Sequence, residues 1–111
     1  MENHITIEDV QARFLKCIGE PTRLRILKLL SSGEKCVCEI TDSLEREQSS
    51  ISHHLTALRK CNIVTSRQEA KNIYYKLTDP RLALFILTGE SIVKDLPLCQ
   101  VEKPLVRENG G

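Results

Sequence analysis

A mainly α-helical fold with one small β-hairpin, in the order ααααββα, is predicted for this 111-residue chain by three observations. Apolar residues recur at helical spacing through four segments before residue 61. The period then falls to two between residues 63 and 77, and a further helical segment follows Pro80. With 41% hydrophobic and 28% charged residues, the composition is that of one globular domain and not of a disordered chain. That domain is expected to span residues 1 to 96, with residues 97 to 111, containing Pro97, Pro104 and Gly110-Gly111, forming a flexible tail.

The first helix is expected over about 6 to 18. Thr6 and Asp9 have the spacing of a capping box, and Val10, Phe14, Cys17 and Ile18 share one face. Pro21 suits the first turn of a second helix whose Leu24, Ile26, Leu27, Leu29 and Leu30 leave little polar circumference, which makes it the central one; Gly33 fits just beyond its end. Val37, Ile40 and Leu44 define a short third helix ending before Glu45-Arg46-Glu47. The fourth helix runs from Gln48 to Lys60, with Ile51, Leu55 and Leu58 as its apolar stripe and Asn62 as its stop. Ile63-Val64-Thr65 and the alternating Ile73, Tyr75 and Leu77 predict a hairpin with its tip near residues 69 to 72. Asp79 then caps a last helix with Pro80 at its first position, running to about residue 94. Its Leu82, Leu84, Phe85, Ile86, Leu87, Ile92 and Val93 are more apolar surface than so small a domain covers alone.

Two short helices separated by about three residues, the second with a narrow buried face, have helix-turn-helix geometry. The charge agrees. Net charge is +1, but residues 1 to 45 carry six basic and eight acidic side chains (−2), residues 46 to 76 six and two (+4), and residues 77 to 111 four and five (−1). A local positive excess attracts a phosphate backbone. Gln48, Ser49, Ser50, Ser52, His53 and Thr56 are the candidate base readers, and Arg59, Lys60, Arg67 and Lys71 the candidate phosphate contacts. Serines at a helix start also serve as caps, Arg59 and Lys60 also complement a helix dipole, and His54, beside the apolar stripe, reads as structural.

Five cysteines, an odd number at uneven spacing, do not read as a disulfide framework. Cys36 and Cys38 are the candidate ion-binding pair. Cys36 falls at an N-cap, where the backbone is not yet helical and both sulfurs can turn to one ion, and a helix N-terminus favours the metal-binding thiolate. Soft thiolates select arsenite, antimonite, cadmium, lead or zinc, as an inducer and not as a requirement for folding. Cys99, in a polar tail, is a further candidate ligand; Cys61 is either a ligand or a core filler, and Cys17 reads as packing.

The stretches GEPTRLRILKLL (19 to 30), CVCEI (36 to 40) and SISHHLTALRKCNIV (50 to 64), with SHHL followed by the strand IYYKL, resemble the ArsR/SmtB family of metal-sensing repressors over roughly residues 8 to 94. The resemblance implies a winged helix-turn-helix, a homodimer through the first and last helices, and repression of a double-stranded operator, an imperfect inverted repeat, relieved by an inducer. Glu45 and Arg46 stand where the family carries Gly and an apolar residue, and Ala70 replaces the wing-tip glycine. In the arsenic-sensing branch a third cysteine follows three residues after the second, where this chain has Thr41. Cys61 and Cys99 resemble positions of a cadmium- and lead-sensing branch whose other helix-4 cysteine is Ala57 here. The last helix has no histidine, so the zinc and nickel site of other members is not expected.

Alternatives remain open at this point: a thiol redox switch at Cys38 or another cysteine, a constitutive regulator with buried cysteines, or an adaptor that binds no DNA. No carboxylate pair, glycine-rich phosphate loop or nucleophile elbow points to an enzyme. Without a membrane-length apolar run or an apolar leader, the cytoplasm is the expected compartment.

Overall fold

The computed structural model describes residues 4 to 97; residues 1 to 3 and the predicted tail beyond Pro97, Cys99 included, lie outside the described residues. Its elements are α1 (Ile7–Ile18), α2 (Pro21–Leu30), β1 (Lys35–Cys36), α3 (Val37–Leu44), α4 (Gln48–Lys60), β2 (Val64–Glu69), β3 (Asn72–Leu77) and α5 (Arg81–Asp95). The fold is the predicted winged helix-turn-helix, with one addition. β1 pairs antiparallel with β3, Lys35 opposite Tyr75 and Cys36 opposite Tyr74, so the hairpin becomes a three-stranded sheet of order β1-β3-β2. Two residues are too few to show a period of two, which is why this strand is not visible in the sequence.

Local chemistry explains the boundaries. Thr6 Oγ1 accepts the Asp9 N–H and the Asp9 carboxylate accepts the Thr6 N–H, both at 3.0 Å, which completes the capping box of α1. Asn62 ends α4 in the left-handed region (φ 62°), where its N–H reaches the Arg59 carbonyl and the Ile63 N–H the Leu58 carbonyl, the Schellman pattern. Glu45 closes α3 in the same way (φ 52°), with Arg46 N–H donating to Thr41 O. The turn thus keeps a conformation that suits glycine, at a cost of about 1 kcal/mol for a side chain there. Ala70, at φ 56°, does the same at the wing tip; positive φ at the first loop residue alone fits a type II′ turn. Asp79 caps α5 through its carboxylate, which accepts the Arg81 N–H at 2.8 Å; Pro80 is the N-cap and the regular helix starts at Arg81, one residue later than expected.

The core lies where α2 meets α3, α4, α5 and β3. Ile26, Leu27, Ile40, Ile51, Leu55, Leu58, Ile63 and Val64 are its fully buried side chains. α1 buries Cys17 and Ile18 of its last turn and packs Phe14 partly against the core, whereas Val10 is exposed. α5 contributes the buried Ile86 and the partly buried Leu82, while Leu84, Phe85, Leu87, Ile92 and Val93 remain exposed, so the surplus apolar surface read from the sequence is present. No helix among the described residues is long and apolar enough to cross a membrane.

Because Leu55 is completely enclosed at the centre of the α4 stripe, Leu55→Ala is expected to lower the free energy of unfolding by about 2–5 kcal/mol. Urea denaturation followed by circular dichroism measures it; a loss well under 1 kcal/mol would place α4 outside the core.

Candidate nucleic-acid interface and thiol site

With Ile51, Leu55 and Leu58 turned inward, α4 presents Gln48, Ser49 and His53 as exposed residues and Ser50, Ser52 and Thr56 as half-buried ones. The N-cap of α4 is Glu47, which makes no side-chain capping bond, and Ser49 and Ser50 lie inside the first turn. Capping is therefore not what the serines do. Arg59 and Lys60 are exposed in the last turn of α4, and Lys71 is exposed at the wing tip. Arg67, the remaining candidate phosphate contact, is exposed and already paired within the chain. Its guanidinium bonds both Glu34 carboxylate oxygens at 2.8 and 2.9 Å, pairs with Glu69 and lies 4.6 Å over the Tyr74 ring. These contacts push its pKa up, the Glu34 hydrogen bonds most of all. Arg67 thus braces β2 to the residue before β1 while its side chain stays about half exposed.

His54 has the structural role its position suggested. Its Nδ1 accepts the Arg23 Nε–H at 3.1 Å, and Glu20, the N-cap of α2, lies 3.8 Å away. Arg23 also donates to the Cys17 carbonyl at 3.0 Å, so one guanidinium joins α1, α2 and α4.

Cys36 is the N-cap of α3. Its sulfur accepts the Glu39 N–H at 3.3 Å, and the Glu39 carboxylate accepts the Cys36 N–H at 2.8 Å, a capping box with sulfur in the place of the usual hydroxyl. Cys36 and Cys38 are joined by a disulfide, so their side chains do turn towards each other as the N-cap position allows, but as a covalent pair. Two thiolates for an ion require its reduction. Among the described residues no three His, Cys, Asp or Glu side chains converge, so Cys61 does not join Cys36 and Cys38 within one chain. Cys61 is exposed, which also corrects its reading as a core filler, whereas Cys17 is buried as expected. At the position of the arsenic branch's third cysteine, the buried Thr41 hydroxyl has no hydrogen-bond partner. An oxygen there is a hard donor and a poor substitute for a third thiolate.

Residues 20–66 match the model of the bacterial regulatory protein family arsR. The chain is 47% identical over 72 residues to an uncharacterized HTH-type transcriptional regulator of Methanocaldococcus jannaschii, covering 64% of this chain and 81% of that one. It is 31% identical over 90 residues to a probable mercury resistance operon repressor of Streptomyces lividans, covering 81% and 72%. Among solved structures, HlyU from Vibrio cholerae N16961 superposes with a TM-score of 0.73 at 29% identity, over 87% of this chain and 100% of that one.

Burial foremost, with the neighbouring charges of Arg23, His53 and Arg46, holds the His54 pKa below its ordinary 6.5 against the opposing pull of Glu20. A folded-state pKa below the unfolded one means that the stability contributed by the neutral ring is full above about pH 6.5 and is lost as pH falls through and below it. The difference in unfolding free energy between wild type and His54→Gln should therefore be constant above about pH 7 and shrink from about pH 6.5 downward. Urea titrations across that range test it, and a difference independent of pH would overturn the assignment of a neutral, half-buried His54.

Proposed function

The chain belongs to the arsR family of bacterial regulatory proteins, and on that footing we propose that it is a homodimeric repressor that leaves its operator when a thiophilic ion binds Cys36 and Cys38. Within a family of DNA-binding transcriptional regulators, the open question is what this chain's own residues read and sense. Gln48, Ser49, Ser50, Ser52, His53 and Thr56 contact base edges, and Arg59, Lys60 and Lys71 contact phosphates. The dimer forms by burying the exposed α5 residues, with Ile7, Val10 and Leu15 of α1, against a second copy. A groove of about 750 Å³ between α2 and α5, lined by Leu24, Leu84, Phe85, Ile92 and Val93, favours this reading. Two recognition helices about 34 Å apart then require an operator with inverted-repeat symmetry.

A single observation carries the sensing half: the Cys36 sulfur caps α3 while the Cys36 backbone pairs with the wing strand β3. An ion that takes this sulfur competes with the Glu39 N–H for it, loosens the cap and disturbs both α3, which packs on α4, and the wing. The acceptable ions are soft: arsenite, antimonite, cadmium, lead or zinc. The S. lividans relative, a probable mercury resistance operon repressor, supports the same class of ion. Cys99, or a cysteine of the second copy, supplies the third ligand. The disulfide itself favours a second reading, in which oxidation of the same pair, and not ion binding, changes the cap.

Fluorescence anisotropy on reduced protein separates these readings. Added arsenite or cadmium should weaken operator binding within the roughly 5- to 150-fold range typical of allosteric coupling. Cys36→Ser/Cys38→Ser, in which serine preserves the cap, should keep DNA binding and lose the response. A response only to oxidant would select the second reading, and none to either would refute both. Independently, Leu84→Glu places a charge on a side chain 68% exposed in the single chain. It should give a monomer by sedimentation with strongly reduced operator affinity; an unchanged dimer would remove α5 from the interface.

A further inference from the structure

Cys17 and Cys61 meet where the end of α1 packs on the end of α4. The buried Cys17 thiol donates to the Ala57 carbonyl at 3.7 Å, and the Cys61 backbone N–H donates to that same carbonyl at 3.2 Å. Both residues are thus anchored on one oxygen. Burial, and after it the neighbouring Cys61 thiol, push the Cys17 pKa up to about 11. Cys61 is exposed and lines an open pocket of about 380 Å³ walled by Phe14, Ile63, Leu82 and Phe85. One sulfur of the pair therefore faces solvent and the other stands protonated behind it.

We propose that Cys17 and Cys61 form a second, peroxide-responsive dithiol whose closure to a disulfide pins the C-terminal end of α4 to α1. The Cys61 thiolate attacks one peroxide oxygen, the O–O bond breaks, and Cys61 becomes a sulfenic acid while the departing hydroxide leaves as water with the proton Cys61 gave up. The Cys17 sulfur then displaces the sulfenic oxygen, which leaves as a second water with the Cys17 proton. Two thiols lose two electrons to the peroxide, and its two oxygens become two waters. Two sulfurs flanking one carbonyl must draw together to reach the roughly 2.05 Å of a disulfide, which pulls the end of α4 towards α1. α4 is one continuous helix of 13 residues held by three fully buried side chains, so a shift at its end alters its setting on DNA. The effect on DNA rests on the function proposed above, whereas the linkage does not.

The triple variant Cys36→Ser/Cys38→Ser/Cys99→Ser leaves Cys17 and Cys61 as the only thiols. After hydrogen peroxide, non-reducing peptide mapping of a mixture of isotopically heavy and light protein should show a Cys17–Cys61 link within single chains. Operator binding should weaken by about tenfold, within the usual range of coupling, and recover on reduction. Adding Cys17→Ser should instead leave a Cys61 sulfenic acid that dimedone traps, a signature that loss of folding does not produce. A Cys61 oxidised past sulfenic acid beside an intact Cys17 thiol, or a link only between chains, overturns the proposal. An intrachain link without change in operator affinity overturns its regulatory part. Reduced protein that ignores operator DNA refutes the functional reading instead, and mapping alone then judges the linkage.

Discussion

The orientation of α4 about its own axis is the constraint on which the rest depends. Ile51, Leu55 and Leu58 have no exposed surface, and each contributes about 2 kcal/mol by leaving water. Rolling the helix by one residue turns it about 100° and carries polar side chains towards the core, so the outward flank from Gln48 to Thr56 is fixed by what lies behind it. Arg23 fixes the same helix from the side. By joining the end of α1, the start of α2 and His54, it sets the depth at which α4 sits and leaves no unpaired guanidinium in a half-buried position.

Where burial and capping act over short distances, the sequence carries the structure plainly. The limits of α4, the capping box at Thr6 and Asp9, the stop at Asn62 and the surplus apolar face of α5 all follow from side chains within a turn or two of one another. Contacts between distant residues are what the sequence conceals. Arg67 reads as a wing cation because Glu34 lies 33 positions away, and only the pairing of β1 with β3 brings them together. Cys61 is open in the sequence to being a ligand or a core filler, yet it falls at the C-cap of α4, where the helix ends, and is exposed. The turns at Glu45 and Ala70 show a different limit. Both backbones are left-handed without glycine, since the surrounding packing outweighs a strain of about 1 kcal/mol that local propensity reads as prohibitive.

Cys36 belongs to both categories. Its place at an N-cap is legible from Val37, Ile40 and Leu44, but its place opposite Tyr74 is not. The combination matters because a helix cap and a strand pair have independent geometric demands. A residue that satisfies both has little freedom left, and any new partner for its sulfur must be accommodated at the expense of one of them. Glu34, two residues earlier, holds Arg67 of β2, so the segment before α3 is tied to both remaining strands of the sheet. A change at Cys36 would therefore meet β3 of the wing as directly as it meets α3.

Size links this local coupling to the dimer. A chain of 111 residues buries a single small core, and α1 and α5 retain apolar faces that α2 alone does not cover. Phe14 of α1 and Phe85 of α5 meet at 5.6 Å between ring centroids, so the two helices that would carry an interface are already in contact within one chain. α1 also touches α4 through Cys17, and α2 bonds α5 through Lys28 and Glu90 at 2.7 Å. An interface built on α1 and α5 would therefore share its supports with the recognition helix. In the proposed dimer a displacement of α1 or α5 would therefore reach the recognition helix through contacts present in the single chain, Cys17 with Ala57 and Lys28 with Glu90 among them.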